Sequence, residues 1–280
     1  MTVPIVTSPE LATEFAQVVV PVDFSPLSWR VITLATRLAK AFVVPRRYVH
    51  VDTSSPWLDE GMHRLVLQGT PGGATVSVDV IAARAVADGI VRALGDDEAS
   101  LPVMSSHGHT GATELATGST TAALLHQWNG PLVLAGPNYR VSAVPFRRIV
   151  FCVDPETAMI SPRLAADVRA WAAAFDVPIE VLAVFGDPPT NYDALASFNR
   201  RLDEATELVS TDERPAAIIR LEDARPGRNI ANYADLVPGT LLALATHARP
   251  AAARAVLGSA AMAVLRHSAS PMLVRRLTTR

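Results

Sequence analysis

The sequence predicts an α/β protein built from two tandem, doubly wound, mostly parallel five-stranded sheets. Three observations carry that expectation. First, each half opens with an apolar run that ends in an acid: Val18-Val19-Val20-Pro21-Val22-Asp23 and Ile149-Val150-Phe151-Cys152-Val153-Asp154. Unbroken apolar runs of this length are expected of strands buried on both faces of a parallel sheet. Second, Ser106-His107-Gly108 through Gly118-Ser119 corresponds to Thr246-His247-Ala248 through Gly258-Ser259, and Pro131-Leu132-Val133-Leu134 to Pro271-Met272-Leu273-Val274. Third, strand-like and helix-like segments alternate throughout, which requires crossover connections and helices on both sheet faces. A chain of 280 residues suits two domains. The expected division is 1–140 and 141–280.

In the first half the expected strands are Val18–Val22, Tyr48–Val51, Thr75–Ile81, Pro102–Ser105 and Leu132–Ala135. Between them fall helices over Pro26–Phe42, Asp88–Leu94 and Ser119–Gln127. Ser25 is a fitting N-cap for the first, because Pro26 suits the first helical position. The second half repeats the order with strands Ile149–Val153, Ile179–Phe185, Ala217–Leu221, Thr240–Ala245 and Met272–Val274. Its helices are Pro162–Phe175, Asn229–Tyr233 and Ser259–Arg266, with an additional one over Tyr192–Leu208. There Leu195, Phe198, Leu202, Ala205 and Leu208 recur near the 3.6-residue period of a buried stripe. Val141–Phe146 is the expected linker, and Gly186–Pro189 a loop.

Composition narrows the function classes. Hydrophobic residues make up 49% of the chain and the formal net charge is −2, with no basic run, which argues against a nucleic-acid partner. The single cysteine, Cys152, rules out a disulfide framework and reads as a core residue. Neither a signal peptide nor a long uncharged apolar span is evident, so a cytoplasmic protein that is not membrane-bound is expected. Asp96-Asp97-Glu98 reads as a solvated acidic turn, and Trp29, Trp57, Trp128 and Trp171 as structural.

Chemistry is expected at the C-terminal strand edge, where doubly wound sheets bind ligands. Met104-Ser105-Ser106-His107-Gly108, nine further residues, and then Gly118-Ser119-Thr120 at a helix start form the strongest candidate. Glycines let the backbone approach a phosphate, and a helix N-terminus presents free N–H groups to it. The plainer alternative is that Gly118 ends one element and Ser119 caps the next. His107 and His247 read as hydrogen-bonded strand-end residues, while His50, His63, His126 and His267 lack metal-ligand spacing. Ser25 and Ser28 read as caps rather than nucleophiles.

Taken together, Pro21-Val22-Asp23-Phe24-Ser25, His50-Val51, and Ser105-Ser106-His107-Gly108 through Gly118-Ser119 resemble the universal stress protein family, once per half. The resemblance implies a Rossmann-like fold of the adenine nucleotide alpha hydrolase type. It also implies an ATP or AMP site, with Mg2+ as a companion of ATP. Val22, Asp23 and Val51 would hold the nucleoside; Met104, Ser105, Gly108, Gly118, Ser119 and Thr120 would lie along the phosphates. It further implies that Leu132–Ala135 and Met272–Val274 pair as an internal pseudo-dimer, leaving assembly into a homo-oligomer open.

Departures from that pattern separate the halves. Ser105 replaces the first loop glycine, which is tolerable if its backbone does not need φ > 0. In the second half Ala245 and Ala248 stand at both early positions, and an alanine forced to positive φ costs on the order of 1 kcal/mol. The second site, with Asp154 and Val184 as surviving counterparts, is therefore expected to be weak or empty. Lys40 is the only lysine, and no arginine lies between Met104 and Gly136. Backbone and hydroxyl donors suit holding a nucleotide better than cleaving it. The favoured reading is a regulatory nucleotide binder; the alternative is an interaction module that has lost nucleotide binding in both halves.

Overall fold

A computed structural model describes residues 15–53, 76–96, 98–106, 119–142, 146–154, 160–185, 192–247 and 257–277. The first half runs β1 (Gln17–Pro21), α1 (Pro26–Phe42), β2 (Arg46–Asp52), β3 (Val76–Ala82), α2 (Val86–Leu94), β4 (Ser100–Ser105), α3 (Ser119–Gln127) and β5 (Leu132–Ala135). The second runs β6 (Arg148–Val153), α4 (Pro162–Phe175), β7 (Ile179–Phe185), α5 (Tyr192–Val209), β8 (Ala217–Glu222), α6 (Pro226–Asp235), β9 (Thr240–His247), α7 (Ser259–His267) and β10 (Met272–Leu277). Every expected element is present, with ends shifted by a few residues. The largest extension is in α6, which gains three residues at its start and two at its end; β10 gains three, which stay in the ladder because β9 continues beside them to His247. The loop expected at Gly186–Pro189 and part of the linker lie outside the described residues.

The two halves fold by the same local rules. Ser25 and Ser161 each cap a helix that begins with proline, accepting from Ser28 N and Leu164 N, both at 3.2 Å. Each helix ends on a left-handed residue, Val43 (φ 57°) or Asp176 (φ 52°). Helix α5 buries Phe198, Leu202, Ala205 and Val209. The expected start of that stripe is corrected: Leu195, in the first turn of α5 and in phase with that face, is exposed, because the cover over the face begins only at Phe198.

Within each half all strands are parallel, and the order is β3-β2-β1-β4-β5 in the first and β8-β7-β6-β9-β10 in the second. The last strands then meet. β5 pairs antiparallel with β10, Leu132 opposite Val274 and Leu134 opposite Met272, so the two sheets become one of ten strands. All six residues of this seam are fully buried. Helices α1, α4 and α5 share a core on one face; α2, α3, α6 and α7 share the other.

Side chains reinforce the seam. Phe42 of α1 packs edge-on against Trp171 and Phe175 of α4, at ring-centroid distances of 5.0 and 5.7 Å. Asn138 Nδ2 donates to the Arg266 carbonyl at 2.7 Å, closing the end of α7. A Cβ on Gly136 would sit 1.8 Å from the Leu265 carbonyl oxygen, so that approach requires glycine. The acidic turn is also corrected: Glu98 is no solvated bystander. It accepts from Arg275 of β10 at 3.0 Å and from Arg163 of α4 at 3.3 Å, while Arg275 makes two further bonds to Asp167, at 2.7 and 3.2 Å.

Arg275 is buried, so truncating it takes the bidentate guanidinium from Asp167 and leaves Glu98 only its longer contact with Arg163, and breaking such a buried pair is costly. Arg275→Ala is expected to lower stability by about 3 kcal/mol, read from the midpoint of urea unfolding; a change within error would deny the network its role. A pH effect follows from the linker. Burial pushes the Tyr139 hydroxyl up to about 12, with Arg37 opposing. The folded chain keeps a proton that the unfolded chain releases near pH 10, so this stabilisation is intact below that pH and is lost as pH rises toward 12. Tyr139→Phe is expected to flatten the alkaline decline of the unfolding midpoint; an identical slope in both proteins would refute it.

Candidate nucleotide-binding edge

The chain order of the sheet reverses between β1 and β4, and the residues expected to bind cluster at the carboxyl ends beside that point. Continuing the strand registers sets Val22 opposite His50 on one side and Ser105 on the other, with Asp23 opposite Val51. Val22 N donates to Val49 O at 2.9 Å, and the Val22 carbonyl accepts from His50 Nδ1 at 2.9 Å. The side chains of Val22, Val51 and Met104 are all buried in the cores, so these three positions can offer only backbone groups to a ligand.

Asp23 is already half committed. Its Oδ1 accepts from Ser25 N at 3.0 Å, a short turn that delivers the chain into the capped start of α1. Between them Phe24 is left-handed, φ 62°, a conformation that costs a bulky residue roughly 1–2 kcal/mol. Its ring lies over His50, with centroids 4.8 Å apart and planes inclined by 27°, and Trp29 flanks it at 6.4 Å. The lack of metal-ligand spacing at His50 says nothing of this packing: Phe24 and His50 come together beside the candidate residues through strand register and one positive φ.

On the phosphate side, Ser105 closes β4 with ordinary strand backbone and is partly exposed. Ser106 N donates to Ala135 O at 2.9 Å, and Ser119-Thr120 open α3. His107, Gly108 and Gly118 lie outside the described residues.

The second half has a looser counterpart. Asp154 is exposed at the end of β6, while Val184 is buried. The strain expected at Ala245 is absent, because β9 carries it through in extended form without positive φ; Ala248 lies outside the described residues. Gly258 precedes α7 at φ −58°, where a Cβ would meet nothing within 4 Å. Burial pushes the nearby Cys152 thiol well above its usual range, in keeping with a core cysteine. Because β5 and β10 are antiparallel, the two carboxyl edges face opposite ways along the ten-stranded sheet. An open depression lined by Arg47, Arg92, Gly95 and Ser100 sits at the amino edge of the first half, away from the convergent groups. Among the described residues no group of three His, Cys, Asp or Glu could hold a metal ion, and no helix is long and apolar enough to cross a membrane.

The model of the universal stress protein family matches residues 14–135 and, again, 145–276. The chain belongs to the universal stress protein family. It is similar over 93% of its length to 98% of a universal stress protein from Archaeoglobus fulgidus, at 16% identity and a TM-score of 0.68. A functionally unknown protein from Pseudomonas aeruginosa PAO1 is similar over 96% of this chain and 95% of its own, at 15% identity and TM-score 0.63. The cytoplasmic domain of a prokaryotic cation chloride cotransporter shares the fold at 12% identity and TM-score 0.52, covering 93% of this chain and 95% of its own. No curated protein matches the chain. These structural likenesses establish the tandem universal stress protein fold.

The backbone at Ser105 gives a direct check on its departure from the family glycine. If no positive φ is needed there, Ser105→Gly only loosens β4 and lowers stability by about 0.5–1 kcal/mol. Stabilisation, read by thermal unfolding, would mean that the serine is strained.

Proposed function

We propose that this universal stress protein is a cytoplasmic stress-response regulator that binds an adenine nucleotide, ATP or AMP, at the carboxyl edge of its first half. One observation carries the reading: the carboxyl ends of β1, β2 and β4 lie side by side at the reversal of strand order, and α3 is the helix that follows β4. Asp23 has Oδ2 to offer a ribose hydroxyl, and backbone groups of Val22 and Val51 would face the nucleoside. Backbone of Met104 and Ser105, the glycines Gly108 and Gly118, and the first turn of α3 at Ser119 and Thr120 would attract the phosphates. Mg2+ would arrive with ATP, coordinated mainly by phosphate oxygens.

The reading is of a binder rather than an enzyme. The donors proposed here are backbone and hydroxyl groups, with Lys40 on the far part of α1. Residues 141–280 are proposed as a second domain whose own site is weak or empty and whose main task is to complete the seam with residues 1–140. Asp154 supports this, since its exposed position lacks the enclosure that Asp23 enjoys. Whether nucleotide occupancy changes the association of two chains is a separate matter for solution measurement.

Mass spectrometry of small molecules released from the purified protein is expected to find ATP or AMP, and millimolar ATP to raise the melting temperature. Asp23→Ala and Gly118→Val should each abolish that shift. If both variants respond like the wild type, the site lies elsewhere; no nucleotide and no shift in the wild type would favour the interaction module.

A further inference from the structure

His50 sits at the nucleoside edge with half of its hydrogen-bonding capacity unused. A carbonyl oxygen can only accept, so the 2.9 Å contact with Val22 O puts the ring proton on Nδ1. In the neutral ring Nε2 is then a bare acceptor. The residue is only 6% exposed, and among the described residues Nε2 is buried without a partner. Buried acceptors in native proteins are seldom left unmatched, so an orphan at a candidate binding edge points to a missing donor. Of the other buried orphans, Trp171 Nε1 lies in the aromatic core between the halves, Arg46 Nη2 at the opposite end of β2 and Arg266 Nε near the end of α7, while Ser28 Oγ on α1 and Thr246 Oγ1 on β9 are hydroxyls that rotate and both donate and accept.

We propose that His50 decides which base the first-half site accepts. Nε2 receives a hydrogen bond from the exocyclic amino group of adenine and disfavours a 6-oxopurine, whose carbonyl would bring a second acceptor against it. This assignment rests on the adenine-nucleotide reading above. Val22 holds the ring by Nδ1, which fixes both its orientation and its tautomer. Phe24, stacked on one face of the imidazole, adds to the fixing of the ring plane.

The test compares ATP with ITP, in which the amino group is replaced by a carbonyl, using titration calorimetry on the full chain. The wild type is expected to favour ATP by about ten-fold or more, as sites with buried polar groups discriminate against unmatched analogues. His50→Asn can still donate to Val22 O through Nδ2, but its shorter amide places no acceptor at the position of Nε2, so ATP affinity is expected to fall about ten-fold toward that of ITP. An unchanged preference in a variant that melts like the wild type would overturn the assignment while leaving nucleotide binding intact. Should His50→Asn fail to fold, the wild-type protein still decides. A ratio near one, or a His50 Nε2 nitrogen resonance that responds alike to both nucleotides, refutes the proposal. If neither nucleotide binds the wild type, the nucleotide reading falls and this assignment with it.

Discussion

Everything in this molecule is arranged around the antiparallel pairing of β5 with β10. A sheet edge presents unpaired N–H and C=O groups, and the last strand of each half is such an edge. Pairing the two edges satisfies both at once. Leu132, Val133, Leu134, Met272, Leu273 and Val274 are completely buried, alternating between the two cores that the helices cover. The buried Arg275 adds a directional tie between β10, Glu98 and Asp167, which helps fix how the halves sit against each other.

That one pairing has consequences well beyond the seam. It lets each helical layer span both halves, so Trp171 can belong to the same core as Val20 and Phe42. It brings the segment after β5 against the end of α7, where Gly136 and Asn138 meet the last carbonyls of that helix. It also turns the two carboxyl edges in opposite directions, so a ligand at one edge is separated from the other by the full sheet. The halves can then diverge chemically while remaining bound mechanically. Asp23 is held in a turn beside Phe24 and His50; Asp154 stands exposed.

Much of the architecture was legible in the residues. The Asp-tipped apolar runs, the serine–proline helix start at Ser25-Pro26 and the matched Gly-Ser helix starts are local signals whose physics needs no partner, and they foretold the elements and the duplication. Element ends were less legible, because a strand stops where its neighbour stops, as β10 shows beside β9. The exposure of Leu195 on α5 has a related cause: how far along a helix its apolar face is covered depends on what packs there.

For the candidate site the division is similar. Which residues stand at the strand tips, and where a helix begins after a glycine, follow from backbone preference and apolar periodicity within each segment. That Val22, Val51 and Met104 turn their side chains inward, that Ala245 escapes positive φ, and that Glu98 reaches Arg275 across the seam depends on how the segments pack. So does the half-satisfied ring of His50 beneath Phe24. Burial and hydrogen-bond completion arise between segments distant in the chain, and no local pattern of residues encodes them.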